Sequence, residues 1–215
     1  MNSERNEEMV RYLLAQGYAD ERVAGALRKI PRELFVPKAY EKYAYADNPL
    51  PIGHNQTISA PGVVAFMTKS LDVREGLRVL EIGSGSGWQA CLLAELAGEN
   101  GEVISVERVP ELVALARENA ERAGCKKINF IYGDGSRGYG ARAPYDRIMV
   151  TAAAPAVPKP LVEQLKKGGK LLAPVGGSYW QELTLVEKNQ KGEMKTSEIM
   201  SVVFVPLIGE HGHKI

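Results

Sequence analysis

The sequence predicts an α/β fold: a doubly wound, Rossmann-like mixed sheet of about seven strands, preceded by N-terminal helices and ending in an antiparallel strand pair. Short apolar runs alternate with helical segments after residue 76, the pattern of a largely parallel sheet. Glycines cluster in LEIGSGSGW (80–88), where the first run meets the first helix. A chain of 215 residues without a composition break is expected to form one domain.

The N-terminal region is expected to cover this sheet. Apolar residues recur at helical spacing in 9–14 and again in 23–30, which predicts two short amphipathic helices. From Pro31 to Pro61 the chain is rich in Pro, Tyr, Asn and Gly, and we expect a long ordered loop. Residues 1–75 are thus predicted to form a helical cap and a ligand-facing loop, and residues 76–215 the ligand-binding sheet, within a single domain of residues 1–215.

Strands and helices are expected to alternate through the sheet region. Helices are predicted at 88–97, Pro110–Ala123 and Lys159–Lys167, since a glycine follows each end and the second helix begins with proline. The first strands are expected at 77–82, 102–107, 127–132, 146–151 and 170–175. Two more, at 182–187 and 200–206, are expected to be joined by the polar linker KNQKGEMKTS (188–197).

The glycine-rich junction indicates a nucleotide-type ligand. Gly83, Gly85 and Gly87 can adopt positive φ and let the backbone approach a ligand, while helix N–H groups stay free to bind its polar atoms. The spacing is GxGxG. A dinucleotide fingerprint needs a third glycine where this chain has Trp88, which argues against a nicotinamide cofactor.

Carboxylates follow the next two predicted strands. Glu107 is spaced to accept hydrogen bonds from a ribose diol, and Asp134 from an exocyclic adenine amine. Structural alternatives remain: the glycines are also typical of a tight turn, Glu107 of a solvated strand end, and Asp134 of an Asp-Gly turn. Together the features resemble the cofactor site of class I S-adenosylmethionine methyltransferases.

Composition restricts the partners and the compartment. The net charge of +1, from 27 basic and 26 acidic side chains, argues against a nucleic-acid partner. No signal peptide or 18-residue apolar run is found, so no membrane association is expected. Cys91 and Cys125 form neither a CxxC pair nor a disulfide framework, which favours a reducing cytoplasm. No HExxH spacing is present, and no metal is expected.

Separated segments extend the resemblance to one family. They are IPRELFVP (30–37), NPLPIGHNQTISAP (48–61), YGDGSRGY (132–139), APYDRIMVTAAAP (143–155) and the closing VVFVPL (202–207). In this order they resemble the protein-L-isoaspartate (D-aspartate) O-methyltransferase family. The family has glutamine or a small residue near His54, and we attach no function to that difference. VTAAAP replaces the Asn- or Asp-Pro-Pro-aromatic sequence of many enzymes that methylate amino groups of bases.

The resemblance implies a methyl transfer from S-adenosyl-L-methionine to the α-carboxylate of L-isoaspartyl residues in damaged proteins and peptides. The product S-adenosyl-L-homocysteine would be released, and the methyl ester would start repair through a succinimide. A carboxylate with a pKa of about 4 is ionised near neutrality, so the acceptor needs no general base. The implied catalytic residue is Ser59, in an orienting role. The implied cofactor-binding residues are Gln56, Thr57, Ile58, Ser59, Glu81, Gly83, Ser84, Gly85, Gly87, Glu107, Arg108, Asp134 and Gly135.

Several alternatives stay open at this point. Ser59 also fits the N-cap of a following helix. The acceptor could be RNA or a small metabolite, and the fold could serve as a non-catalytic binding module. Residues that select isoaspartate over aspartate are expected in the Pro31–Pro61 loop and around Tyr179 to Glu182. We expect a monomer.

Overall fold

The computed structural model describes residues 2–177 and 179–214. It begins with the two predicted helices, α1 (Asn2–Ala15) and α2 (Glu21–Lys29). Asp20 starts α2, because its Oδ1 accepts a hydrogen bond from the Val23 N–H at 2.8 Å. Both helices turn apolar side chains inward and pack on the sheet domain. No helix in these two ranges is long and apolar enough to cross a membrane.

The loop from Pro31 to Pro61 is ordered, as predicted, but it contains regular structure that the sequence did not reveal. Two 3₁₀ turns precede an antiparallel hairpin of β1 (Leu50–Gly53) and β2 (Gln56–Ile58). His54 and Asn55 form its turn with φ of 52° and 56°, the conformation of a tight two-residue hairpin turn. Strands of four and three residues are too short to show a period. His54 is therefore a turn residue of this hairpin.

A seven-stranded sheet forms the body of the protein. Its order is β5-β4-β3-β6-β7-β8-β9; the first five strands are parallel and β8 and β9 antiparallel. This arrangement confirms the predicted fold class. The strands are β3 (Arg78–Ile82), β4 (Glu102–Glu107), β5 (Ile128–Tyr132), β6 (Tyr145–Val150), β7 (Leu165–Gly176), β8 (Gln181–Lys188) and β9 (Met194–Val202).

Helices cover both faces of this sheet. They are α3 (Pro61–Leu71), α4 (Trp88–Ala97), α5 (Pro110–Arg122) and α6 (Lys159–Gln164). Trp88 is 1% exposed and its indole N–H donates to the Ile30 carbonyl at 3.0 Å, which attaches the N-terminal helices to α4. The residue that breaks the dinucleotide pattern is thus a core residue.

Two predicted boundaries near the C-terminus were wrong. The helix predicted to end at Lys167 ends at Gln164, because Leu165 is buried and pairs with Tyr145 as the first residue of β7. Met194 to Ser197, taken as linker, already belong to β9. The Asn189 side chain accepts from the Glu193 N–H at 3.0 Å and closes a tight turn there, so the strand starts early.

The predicted strand 200–206 was wrong in its second half. Residues 203–206 lie outside β9, and residues 204–208 run along the carboxyl edge of the parallel strands instead. Ala153 N–H donates to the Val205 carbonyl at 2.8 Å, and Leu207 N–H donates to the Ala153 carbonyl at 2.7 Å. These residues are apolar because they pack along the edge of the sheet and line the cleft. A sequence pattern does not distinguish this position from that of a buried strand.

The two cysteines form a disulfide, contrary to the sequence-based expectation. Cys91 on α4 and Cys125 after α5 are 34 residues apart in sequence, yet their Cα atoms are 5.7 Å apart. The packing of α4 against α5 brings them together, and spacing alone could not show it. Unpaired cysteines therefore no longer support a reducing compartment.

Candidate functional site

A cleft of about 890 Å³, including space open to solvent, lies at the carboxyl ends of β3, β4 and β6. The sheet order reverses at β3, and ligands bind at such a point in doubly wound folds. The β1–β2 hairpin and the tail segment, Phe204–Ile208, form the other walls. The cleft is therefore made by the sheet edge together with two segments distant from it in sequence.

The glycine loop, Gly83–Gly87, lines the cleft through its first four residues, whereas Gly87 lies against Ala116 of α5. Gly83, Gly85 and Gly87 have φ of 98°, 51° and 87°, so all three adopt the left-handed conformations that the spacing predicted. A Cβ at Gly83 would collide with Thr151 Oγ1, whose hydroxyl donates to the Gly83 carbonyl at 2.7 Å. The positive φ angles therefore set the shape of the loop, and Thr151, which directly follows β6, holds it in place.

Glu107 lies beside the glycine loop, as predicted. Its Oε2 accepts from the Gly85 N–H at 3.1 Å and its Oε1 from the Val109 N–H at 3.0 Å. The carboxylate is buried and lines the cleft. A carboxylate offers about four acceptor positions, so each oxygen retains a lone pair for a ligand hydroxyl. Arg108 also lines the cleft and is exposed.

Glu81 lies beneath the glycine loop, away from the cleft lining. It is fully buried and accepts a hydrogen bond from the Ser105 hydroxyl. Ser105 is also hydrogen-bonded to Ser84, with the two Oγ atoms 2.6 Å apart. Burial raises the pKa of Glu81 to about 8, against the lowering effect of the Ser105 hydrogen bond and with a further rise from Glu107. Glu81 therefore acts on the cleft through Ser105 and Ser84.

The hydroxyl segment, Gln56–Ser59, forms a second part of the cleft wall. All of its residues line the cleft. The Thr57 and Ser59 hydroxyls make no hydrogen bond with any residue in 2–177 and 179–214, so both are available to a ligand. The segment combines hydroxyl donors with the buried side chain of Ile58.

A buried arginine holds the hydroxyl segment in place. Arg32 is fully buried, and its guanidinium donates to the carbonyl oxygens of Ser59 at 3.0 Å, Asn48 at 3.0 Å and Ala44 at 2.7 Å. Burial lowers the pKa of Arg32 to about 10, partly offset by the charge of Asp47. No role was predicted for Arg32. A lone arginine in an apolar segment was the available signal, because a buried guanidinium needs several acceptors.

Ser59 is not the N-cap of the following helix, which corrects the structural alternative. The N-cap of α3 is Ala60, and Asp47 Oδ1 accepts from the Gly62 N–H at 2.7 Å. Pro61 occupies the first helical position, and Asp47 replaces the serine as acceptor. The Ser59 hydroxyl is consequently not used for capping.

Comparison with known proteins identifies the family. The model of the family protein-L-isoaspartate(D-aspartate) O-methyltransferase matches residues 4–212. This chain belongs to that family. A protein-L-isoaspartate O-methyltransferase from Methanothrix thermoacetophila is 52% identical over 210 residues, covering 98% of each chain. One from Pyrococcus horikoshii is 53% identical over 211 residues, covering 97% of this chain and 95% of that protein.

Solved structures agree with this family assignment. A protein-L-isoaspartate O-methyltransferase superposes with a TM-score of 0.87 at 32% identity, covering 96% of this chain and 67% of that one. A beta-aspartate methyltransferase from Plasmodium falciparum, in complex with S-adenosyl-L-homocysteine, gives a TM-score of 0.84 at 27% identity and covers 94% and 98%. The family resemblance seen in the separated sequence segments is confirmed.

Asp134 is next to the cleft residue Gly135 but does not itself line the cleft, and its carboxylate is hydrogen-bonded to the protein. Its Oδ1 accepts from the Ser136 N–H at 2.9 Å and the Ser136 hydroxyl at 2.7 Å, and its Oδ2 from the Glu210 N–H at 2.9 Å. A Cβ at Gly209 would collide with Oδ1. Burial raises the pKa of Asp134, but these hydrogen bonds outweigh it and hold the pKa below its usual range. Gly135, its neighbour, does line the cleft.

The structure therefore brings most of the predicted residues together and adds others. Glu81, Gly87 and Asp134 are outside the cleft lining, whereas Thr151 and the tail segment are part of it. Among the described residues that line the cleft, Glu107 and Arg108 have the only ionisable side chains. The tail segment was missed because its apolar pattern is also that of a strand.

Proposed function

We propose that this protein transfers the methyl group of S-adenosyl-L-methionine to the α-carboxylate of L-isoaspartyl residues in damaged proteins and peptides. The methyl ester would then start repair through a succinimide. Membership of the family over residues 4–212 carries this proposal. The chemistry of the cleft supports it, because hydroxyl-bearing residues and the glycine loop line the same cleft, whose described lining has no histidine, cysteine or lysine.

The residues present fit the methyl donor. The positive-φ glycine loop lets a ligand approach the backbone, and the buried Glu107 carboxylate retains lone pairs for the hydroxyls of a ribose. We assign the donor to Gln56–Ser59, Gly83–Gly87, Glu107, Arg108 and Gly135. Glu81 would shape this site from below through Ser105 and Ser84.

The chain's own residues would act by positioning. S-adenosyl-L-methionine supplies an electrophilic methyl group, and the acceptor carboxylate is already ionised near neutrality. Ser59 donates a hydrogen bond to that carboxylate and aligns one oxygen for attack. The tail segment and the β1–β2 hairpin exclude water, so the opposite charges that cancel in the reaction interact in a poorly screened environment.

The cellular setting follows from the proposed chemistry. We propose that the protein works as a monomer in the cytoplasm, where both the methyl donor and ageing proteins occur, and that residues 1–215 form one methyltransferase domain. Cys91 of the Cys91–Cys125 disulfide is buried, whereas Cys125 is partly exposed, so small thiols in this compartment would reach the bond through Cys125. Isoaspartyl proteins and peptides are the proposed partners.

Paired peptides test the function. Two peptides that differ only in isoaspartyl or aspartyl linkage are incubated with methyl-labelled S-adenosyl-L-methionine. We expect base-labile labelling of the isoaspartyl peptide and little labelling of the aspartyl one. Equal labelling of both would overturn the repair function, and base-stable labelling would overturn methylation of a carboxylate.

A further inference from the structure

The hairpin between β7 and β8 ends in adjacent exposed aromatic residues. Tyr179 is 91% exposed and Trp180 is 63% exposed. Single apolar residues on a surface are ordinary, whereas neighbouring aromatics beside a ligand cleft are typical of a binding surface. We refer to Tyr179 and Trp180 as the hairpin rim.

The base of this hairpin is attached to one wall of the cleft. β7 runs parallel to β6, so its carboxyl end lies at the same edge as Thr151 and Ala152, which line the cleft. Ala154 N–H donates to the Pro174 carbonyl at 2.9 Å, and Gly176 N–H donates to the Ala154 carbonyl at 2.9 Å. The hairpin rim consequently extends beyond the cleft from a fixed base.

A buried glutamine ties the hairpin to a second wall. Gln181 is fully buried, and its Oε1 accepts from the Phe204 N–H at 2.8 Å while its Nε2 donates to the Gly177 carbonyl at 2.5 Å. Phe204 begins the tail segment that lines the cleft. The residue next to Trp180 thus positions both the hairpin and the cleft wall.

The indole of Trp180 is held with its face open. Its N–H donates to Glu182 Oε1 at 2.9 Å, and the Ser201 hydroxyl donates to the same oxygen at 2.9 Å. The polar edge of the ring is therefore satisfied, while most of its apolar surface stays in solvent. A ring oriented in this way binds an apolar partner with little loss of side-chain entropy.

Sheet order places the hairpin rim at the acceptor end of the cleft. Glu107 is on β4, to one side of β3, whereas β6, β7 and β8 are on the other side. A methyl donor whose ribose is held by Glu107 would extend across β3 towards β6. The polypeptide that carries the acceptor carboxylate would then leave the cleft past the hairpin rim.

We propose that the hairpin rim binds the substrate polypeptide outside the reacting residue, by packing Tyr179 and Trp180 against apolar side chains next to the isoaspartyl residue. The inference rests on the proposed function and adds a subsite to it. Partly unfolded proteins expose such side chains, so this surface would favour damaged segments that have lost their packing.

Kinetics on matched peptides test the subsite. Two isoaspartyl peptides of equal length are compared, one with leucines and one with serines beside the isoaspartyl residue. We expect kcat/KM of the wild type to be about tenfold higher for the leucine peptide. The double variant Tyr179→Ala/Trp180→Ala should lose this preference through KM, while Tyr12→Ala, which removes an exposed aromatic of α1, should keep it.

A minimal substrate, meaning a short isoaspartyl peptide without apolar neighbours, allows failure of the subsite to be distinguished from failure of the proposed function. If no isoaspartyl peptide is methylated, the proposed function fails. If the minimal substrate is methylated and the double variant keeps the leucine preference, only the subsite is overturned. An equal rise of KM for the leucine and serine peptides would also overturn it, since packing against apolar side chains would then not be the cause.

Fluorescence gives a direct binding measurement. The chain has two tryptophans, and Trp88 is already shielded at 1% exposed. With S-adenosyl-L-homocysteine present, a leucine peptide without Trp or Tyr should shift the emission to shorter wavelength, and Trp180→Phe should abolish the shift. A shift produced by higher protein concentration without peptide would mean that a second copy covers the hairpin rim, and would overturn the proposal.

Discussion

At the scale of single residues, some side chains that line the cleft are hydrogen-bonded to the protein, and others are free to bind a ligand. Glu107 serves both purposes, because each oxygen already accepts a backbone N–H and still has a lone pair. Ser59 and Thr57 lie at the other wall with hydroxyls that no residue in 2–177 or 179–214 engages. We therefore expect substitutions of Glu107 and Ser59 to affect ligand binding and turnover differently.

Replacing Ser59 by alanine should lower kcat by roughly 10- to 100-fold, the effect of losing one hydrogen bond to a charged group. The dissociation constant of S-adenosyl-L-homocysteine should rise by a smaller factor, since the serine is proposed chiefly to orient the acceptor, although it also lines the donor site. Steady-state kinetics on an isoaspartyl peptide and calorimetry measure the two quantities. Tyr12→Ala, on α1 and outside the cleft lining, is the control. Parallel losses of binding and turnover would count against the orienting role.

Glu107→Gln should weaken S-adenosyl-L-homocysteine binding by roughly tenfold or more, because a neutral amide replaces a charged acceptor of hydroxyl hydrogen bonds. Calorimetry measures the affinity. Thermal unfolding without ligand serves as the control, since Glu107 also accepts from the Gly85 N–H. An unchanged dissociation constant in a folded variant would remove Glu107 from the donor site.

At the scale of elements, the residues that directly follow the tail segment are held by a distant part of the chain. Asp134 accepts from the Glu210 N–H, Ser136 Oγ accepts from the His211 N–H at 3.0 Å, and Arg137 pairs with Glu210 at 3.3 Å. The residue predicted to bind adenine therefore also fastens the segment that follows the cleft wall. These two roles are experimentally separable.

Asp134→Asn should loosen the chain after the tail segment, since an amide N–H₂ would face the Glu210 N–H in place of an acceptor. Hydrogen exchange over residues 207–213 should become roughly tenfold faster. Affinities for S-adenosyl-L-homocysteine and for its analogue without the adenine amine should fall by equal factors. A larger loss for the unmodified ligand would show that Asp134 accepts from that amine.

Elements were predictable where length and pattern left one solution. The strand at 102–107 and the helix at 88–97 were predicted to the residue, because buried parallel strands and proline- or glycine-bounded helices have strong local signals. The β1–β2 hairpin and the tail segment were not. Their conformations depend on contacts with the glycine loop and the segment around Ala153, which a local pattern does not contain.

At the scale of the whole molecule, Glu81 couples stability to pH. Its pKa rises from 4.5 to about 8 on folding, so its contribution to stability is fully present below pH 4.5 and is lost as the pH rises towards 8. The free energy of unfolding should fall by up to roughly 1.4 kcal/mol per pH unit in this window. Glu81→Gln removes this dependence, so the variant should gain stability relative to the wild type as pH rises. Urea unfolding between pH 5 and 8 tests it; a difference that does not vary with pH would contradict the raised pKa.

The disulfide should stabilise the folded chain against unfolding. Cys125→Ser should lower the free energy of unfolding by about 2–4 kcal/mol, because a cross-link over 34 residues restricts the unfolded chain. Urea unfolding with and without dithiothreitol measures the effect, and the reductant should not alter the variant. Alkylation of two thiols in the purified wild-type protein under non-reducing, denaturing conditions would show that the bond does not form.

The alternation of strands and helices, the glycine loop, the position of Glu107 beside it and the family were all predictable from the amino-acid sequence. Each depends on residues close together along the chain or on separated motifs in a fixed order. Other contacts are known only from the folded structure: Cys91 meets Cys125, Arg32 holds the hydroxyl segment, Asp47 starts α3, and Asp134 binds the segment after Ile208. These contacts join segments brought together by packing on the sheet, and local propensity contains no information about such partners.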